Sequence, residues 1–540
     1  MQDLNHTTPR HGVKNSISIQ GEAPPPAQGS EPGFVFGRMF AASDARPMQI
    51  LLRSCAAIGA QMTSVPEADR ADSDMPAGYT YFGQFVDHDI SMDTTAGDRE
   101  QDDAATPTIE ATALRDLTQE RSPSLDLDSL YGTVAGIDAA LVDGARFRIG
   151  RTSPTPGFGA GPVERALGYD LPRRADGTAT IGDPRNDENL AVAQIHLLWL
   201  RFHNLIAAKI EAANPSASPT LVFEITRDLV TRHYQYIVMN DYLPRILNTE
   251  IFDDIVVDGN RKVLPHVAGE SAFMPLEFSV AAYRMGHAQV REIYEWNVNF
   301  STGGAFQPAA NFRQLFEFSN VSGSLAGLPT LASNWIPDLR RLFDLSSTAF
   351  PHLAGSTTGP VNLAKALDPF IASALSDLPE LKDSFDRGLV PFTNLAALNL
   401  RRGGMRGLPS GQDVSRALRG VTMLTKTQMR AVLNDAFDTQ MELLGFYERT
   451  PLWLYILIEA AATGDGNRLG KLGSTLVADT FVTLALTSRT SILTKGSKWT
   501  PTMAQADLGS AKPLETMADI IVWMDEIEAT VDPLQDARIA

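Results

Sequence analysis

The chain has 540 residues and a single cysteine, Cys55. That scarcity excludes a disulfide within the chain and any zinc or iron–sulfur site built from several thiolates. Basic residues are outnumbered as well: 46 Lys and Arg against 64 Asp and Glu give a net charge of −18. Nucleic-acid binding needs a basic face for the phosphates, so no nucleic-acid partner is expected. Long apolar runs are missing, and no window approaches the ~18 uninterrupted apolar residues of a membrane span. The most apolar stretch, 451–462 (PLWLYILIEAAA), carries Glu459 and reads as a buried helix. The first residues, MQDLNHTTPRHGVKNSISIQGEAPPP, lack the apolar core of a secretory signal. The expected location is therefore cytoplasmic, or outside by a non-conventional route.

What is present is an ordinary globular composition, 44% hydrophobic, on a chain long enough for a sizeable core. With no disulfides, packing must supply the stability. Residues 1–33 are rich in Pro, Gly, Ser and Gln without periodicity, and read as a flexible or wrapping tail. Helices are expected over 79–92, 183–213, 221–247, 276–297, 425–446, 451–462, 469–487 and 516–529, where apolar residues follow a helical rather than alternating period. Loops are expected over 66–77, 93–108 and 151–180. Strand-like runs are short and few, such as 255–258. The fold class is mainly α, with long loops.

Five clusters of residues carry possible chemistry. In GQFVDHD, helical spacing puts Gln84, Asp87 and His88 on one face amid Tyr79, Tyr81, Phe82 and Phe85. A buried carboxylate and imidazole need partners or a ligand, and a local hydrogen-bonded network would serve equally well. In GDPRNDEN, Asp183 and Pro184 signal a helix start. Arg185 there opposes the helix dipole, which hints at another purpose or at a local ion pair with Glu188. His196 and His203, seven apart, read as core residues. In YRMGHAQV, His287 is either a satisfied core histidine or a metal or haem ligand, and Gly286 beside it leaves room for a flat group. Ser122, Ser124, Asp126 and Asp128 alternate in RSPSLDLDSLYG and either wrap a hard cation such as Ca²⁺ or form a solvated loop. LNLRRGGMRGLP holds Asn399, Arg401, Arg402 and Arg406, a basic cluster suited to carboxylates or to a solvated surface.

The order GQFxDHD, LDxDxLYG, GDxRxxEN, YRxGH, LNLxRG resembles the peroxidase–cyclooxygenase superfamily, the animal-type haem peroxidases, over roughly residues 38–488. The stretch NRLGKLGSTLVADTFVTLAL is similar to bacterial members. The resemblance implies one large helical haem-peroxidase domain over 34–540, built around haem b. It implies that His88 is the distal base, Arg185 the distal arginine, and Gln84 the distal glutamine that orders water or a halide. His287 would be the iron ligand, with Asn399 accepting a hydrogen bond from its other ring nitrogen. Asp87 and Glu188 match carboxylates that form esters with haem methyl groups, and Arg284 and Arg402 match arginines near the propionates. Asp89 with Ser122, Ser124, Asp126 and Asp128 matches the family's Ca²⁺ site. The implied activity is reduction of hydrogen peroxide with oxidation of small organic donors or halides. The alternatives are a haem-dependent fatty-acid dioxygenase and a non-catalytic haem-binding protein, and the His88–Arg185 pair argues against the last. Three departures are visible. Asn189 replaces the methionine that forms a sulfonium link in one branch. Arg284 replaces the radical-forming Tyr of the cyclooxygenases, with Tyr283 one residue away. GMRG at 404–407 replaces the usual RDHG.

Overall fold

The computed structural model describes residues 35–95, 109, 111–132, 140–154, 168–264, 272–302, 309–346, 361–378, 386, 392–493, 498–528 and 530–531. The expected tail over 1–33 lies outside the described residues, as do most of the expected loop over 93–108 and the middle of that over 151–180. The principal helices are α1 (Leu52–Met62), α2 (Gly78–Ile90), α3 (Leu190–Ala213), α4 (Pro219–Ile237), α5 (Leu395–Met405), α6 (Leu452–Gly464), α7 (Lys471–Thr487) and α8 (Met517–Ile527). Strands among the described residues are short and pair only two at a time. The protein is mainly α, as expected.

Polar caps fix where several helices begin. Asn189 accepts from the Val192 amide at the start of α3, Ser218 from that of Leu221 at α4, and Asn394 from that of Ala397 at α5. Each such cap contributes about 1 kcal/mol. At α7 the cap comes from a neighbouring helix. Glu459, buried in α6, accepts from the amides of Leu472 (2.9 Å) and Gly473 (3.1 Å). Burial pushes its carboxyl up to about 7, against the pull of those two amides.

One hydrophobic cluster runs from Phe36 to Val531. Its aromatic centre holds α2 in place. Phe85 stacks on Trp199 of α3 with rings 3° from parallel, and Tyr234 of α4 meets Phe82, Phe85 and Trp199 edge-on. Gly83 lets α2 sit this close, since a Cβ there would lie 2.3 Å from the Tyr242 hydroxyl. Gly59 does the same where α1 crosses α5, with the Ala397 backbone 2.8 Å from the Cβ position. Cys55 is buried in this core, and burial pushes its thiol up to about 12, so it is unreactive.

Several expected elements differ. The helix expected over 183–213 is a tight turn, Pro184–Asp187, followed by α3; Asn189 between them is extended and acts as a cap. The helix expected over 276–297 is a single turn, Leu276–Ser279, then a 3₁₀ segment, Ala282–His287, then a strand, Ile293–Tyr294. The helix over 425–446 divides into Lys426–Arg430 and Asp435–Leu443, each with its own cap. The expected loop over 66–77 contains a strand, Asp72–Pro76, antiparallel to Leu363–Lys365. The expected strand over 255–258 is helical: Asn248 caps a turn that continues through Phe252–Val257 and buries Ile255. Tertiary packing overrides the strand preference of its β-branched residues. Among the described residues α3 is long and apolar enough to cross a membrane, but 89% of its apolar window is buried within the protein.

Two core histidines make stability depend on pH. Burial pushes His203 down to about 3 and His233 to about 4. Neutral His203 donates from Nε2 to the Ala145 carbonyl (3.1 Å) and pairs through Nδ1 with the Tyr131 hydroxyl (2.9 Å). Below pH ~6.5 the unfolded chain takes up protons at these sites while the folded protein does not. Their contribution therefore falls as pH drops from about 6.5 toward 4, by up to about 1.4 kcal/mol per pH unit for each ring. His203→Gln is expected to flatten this dependence relative to the unmodified protein in urea titrations between pH 6.5 and 4.5. Parallel slopes would refute the assignment.

Candidate functional site

Gln84, Asp87 and His88 of GQFVDHD fall on one side of α2. Gln84 and Asp87 are its only partly exposed positions, and His88 is next to them at 6% exposure. Burial first, then the positive charge of Arg185, pushes His88 down to about 4, so the ring is neutral. Its Nδ1 lies 2.8 Å from Asn186 Oδ1. Gln84 is oriented by Asn189, whose Nδ2 donates to its Oε1 at 3.0 Å. Asp87 accepts from the Ser91 hydroxyl at 3.0 Å, and its charge acts on both Arg185 and Arg284.

Arg185 is held by Asp183. Its Nε donates to Asp183 Oδ1 (3.0 Å), and its Nη2 donates both to Asp183 Oδ2 (2.7 Å) and to the His88 carbonyl (3.0 Å). Arg121 approaches from the other side, with Nη2 2.6 Å from Asp183 Oδ2 and Nε 3.2 Å from the His88 carbonyl. That carbonyl is among the last four of α2, which have no partner within the helix. Two guanidinium groups there also suit the negative end of the helix dipole. Burial works against ionisation of Asp183, but Arg185, then His88 and Arg121, hold its carboxyl far below the usual range. The anchoring ion pair is thus with Asp183, not the one with Glu188 that the spacing allowed. Nη1 of Arg185 makes no hydrogen bond to the described residues and is free to donate to a ligand.

A second cluster gathers around His287. His287 ends the segment Ala282–His287, with Trp453 edge-on to its ring. Asn399 of α5 joins it to Arg284: Asn399 Oδ1 accepts from Arg284 Nη1 (2.6 Å), and Asn399 Nδ2 lies 2.7 Å from His287 Nδ1. The expected pairing of His287 with Asn399 is present, here with the amide nitrogen toward the ring. Arg284 can only donate, so it claims the amide oxygen and turns the NH₂ toward the ring. Burial and then Arg284 push His287 down to about 3. Burial and then Arg402 lower Arg284 to about 10. Two arginines held this close mark a place for an anionic group. A Cβ at Gly286 would meet nothing within 4 Å, so there is open space beside His287, as expected. His88, His287 and Arg284 lie deep enough for burial to dominate their shifts. Gln84, Asp87, Arg185, Arg284 and His287 nevertheless keep some exposed surface. The rest of the basic cluster is not solvated: Arg401 is buried, and Arg406 is fully buried against Asp93 at 2.7 Å.

The proposed cation residues are close together and buried. Asp128 accepts from the Ser122 amide (2.7 Å), Ser122 and Ser124 hydroxyls lie 2.6 Å apart, and Ser124 donates to Asp126 (2.8 Å). Asp89 accepts from Tyr234 (2.8 Å) and from the Ser129 amide. Leu127 adopts φ 57°, a left-handed turn that folds the loop back. Burial, then Asp126, pushes Asp128 up to about 7; burial, then Asp128, pushes Asp89 well above its usual value. Among the described residues no group of three or more His, Cys, Asp or Glu is spaced to hold a metal ion. The motifs did not reveal the second roles of Arg121, Asp183, Asn186 and His196. The available signals were the arginine directly before SPSLDLD and the polar residues flanking Arg185.

The model of the animal haem peroxidase family matches residues 99–506, well over half of the chain, and the protein belongs to that family. Its members normally carry haem. The matched span includes Arg185, His287 and Asn399 and begins after His88. Thyroid peroxidase of the dog, Canis lupus familiaris, is 27% identical over 284 residues, covering 52% of this chain and 26% of that protein. Peroxidase mlt-7 of Caenorhabditis elegans is 27% identical over 274 residues, covering 48% of this chain and 35% of that one. The chain thus matches about a quarter to a third of these relatives' length. Peroxidase A of Dictyostelium discoideum superposes with TM-score 0.58 at 17% identity, over 93% of this chain and 95% of that chain. Fatty acid alpha-dioxygenase of Arabidopsis thaliana superposes with TM-score 0.54 at 13% identity, over 89% and 78%. At these identities the likeness shows the fold alone.

Asp183 is the residue whose loss should disturb the most. Asp183→Asn would leave buried Arg121 and Arg185 without their counter-charge, a type of change that costs about 3–5 kcal/mol. The expected result is a clear drop in urea midpoint. A midpoint within error of the unmodified protein would show that the hub contributes nothing.

Proposed function

We propose that this chain is a haem peroxidase that reduces hydrogen peroxide and oxidises small organic donors or halides. The observation that carries this reading is a neutral imidazole, His88, beside an anchored guanidinium, Arg185, with Nη1 free. His88 Nε2 takes a proton from peroxide and returns it to the departing oxygen. Arg185 Nη1 donates to that oxygen as charge develops on it. Gln84, held by Asn189, orders water or a halide.

The residues present fit haem b. His287 would ligate the iron, Arg284 and Arg402 would meet the propionates, and Asp87 and Glu188 would form ester links. When bound, haem supplies the electrons that reduce peroxide. Were His287 to hold the iron, its remaining ring nitrogen would carry the proton and Asn399 would turn its oxygen to it, which would free Arg284 for an anionic group. By its resemblance to the family's site, the cluster of Asp89, Asp126 and Asp128 with Ser122 and Ser124 is the place proposed for Ca²⁺, although these carboxylates as they stand are not spaced to hold an ion; there it would tie α2 to the 122–128 loop. The dioxygenase reading is kept because a small apolar pocket borders Asn399, lined by Ile50, Val280, Leu400 and Trp453 among others.

Rapid mixing of the haem-loaded protein with peroxide tests the reading. A shifted Soret band that guaiacol returns to its starting position is expected; oxygen uptake with linoleate and no guaiacol turnover would favour the dioxygenase. Arg185→Ala should slow the shift about 10²–10³-fold with haem content near normal. For the bound groups, acid–butanone after peroxide cycling should leave haem on the protein, and EGTA should lower the melting temperature. Complete haem extraction, or melting indifferent to EGTA, would reject the respective assignment.

A further inference from the structure

A hydrogen-bonded chain stands behind His88. Asn186 Oδ1 is 2.8 Å from His88 Nδ1, and Asn186 Nδ2 is 2.9 Å from His196 Nδ1. Asn186 and His196 are fully buried and His88 nearly so. Neither partner is free to drift. Asn186 lies in the turn Pro184–Asp187, with its amide on the Asp183 carbonyl at 3.1 Å. His196, on α3, meets Phe85 edge-on at 5.9 Å.

A side-chain amide has one accepting and one donating end. With its oxygen toward His88, Asn186 requires the proton on Nδ1 and leaves the lone pair on Nε2. Its NH₂ then donates to His196 Nδ1, which must be bare. The proton of His196 is consequently on Nε2, which has no partner in the protein. His196 also borders a small cavity with Thr180 and Leu200, with room for about one water that could satisfy the Nε2 proton. The opposite tautomer of His88 would present an N–H where peroxide must deliver its proton, and could not act as a base.

We propose that Asn186 is a positioning residue that fixes the tautomer of His88, with His196 taking the other end of its amide. This rests on the peroxidase reading above only for its consequence, not for the tautomer. The test is ¹⁵N NMR of histidine-labelled, haem-free protein, with His88 assigned by its loss in His88→Gln. His88 should be protonated on Nδ1 alone. Asn186→Leu should give a mixture of tautomers. In the haem-loaded protein Asn186→Leu should slow the peroxide reaction about 10²-fold or more. Asn186→Asp keeps an accepting oxygen, so it should retain the Nδ1–H form and recover most of that loss, which also covers the case in which the leucine variant fails to fold. His88 protonated on Nε2 in the unmodified protein, or tautomers unchanged in Asn186→Leu, would overturn the proposal. A haem-loaded protein inert to peroxide would defeat the peroxidase reading instead, and the NMR result would still decide this one.

Discussion

The structure turns on one carboxylate. Asp183 is fully buried and accepts from both Arg121 and Arg185, and the same two guanidinium groups donate to the carbonyl of His88. A buried carboxylate without such partners would take up a proton, and a buried guanidinium without it would draw in water. Together they close the end of α2, immobilise Arg185 through Nε and Nη2, and leave Nη1 for a ligand. The arrangement is asymmetric by construction: two edges of the guanidinium are structural and one is chemical.

The opposite wall depends on helix packing. α5 lies close enough to α1 to bring Asn399 against His287 because Gly59 has no side chain at the crossing. Asn399 then divides its two ends between Arg284 and the ring. Asn186 has the same divided use on the other wall. Each histidine of the site is therefore read by an asparagine whose orientation a second residue sets. For Asn399 that residue is an obligate donor, and a bound anion would compete for it. For Asn186 it is a neutral ring in the core.

Much of the site was legible in the sequence. Helical spacing placed Gln84, Asp87 and His88 on one face, and the structure has them so. Gly286 signalled space beside His287, and that space is open. Other readings failed for physical reasons. Arg185 was ambiguous because local spacing offered Glu188, while the pair that forms uses Asp183 and a distant Arg121. The β-branched run near Ile255 looked like a strand because propensity is local, whereas the cap at Asn248 and burial of Ile255 decide for helix. Arg406 was left between a carboxylate partner and a solvated surface, and Asp93, more than three hundred residues away, decides for the carboxylate in the core.

The sequence alone determined the helical class, the absence of disulfides, the acidic surface, and which side chains could do chemistry, since each follows from composition or from spacing within one element. Only the tertiary structure decided which way each amide faces, which carboxylate neutralises which arginine, and which histidine stands behind the distal one. Those outcomes depend on contacts between residues far apart in the chain, where hydrogen bonds are directional and buried charges must be matched. The single cysteine shows the same division. Its number excluded disulfides from the start, but only burial beneath α5 made Cys55 an inert part of the core.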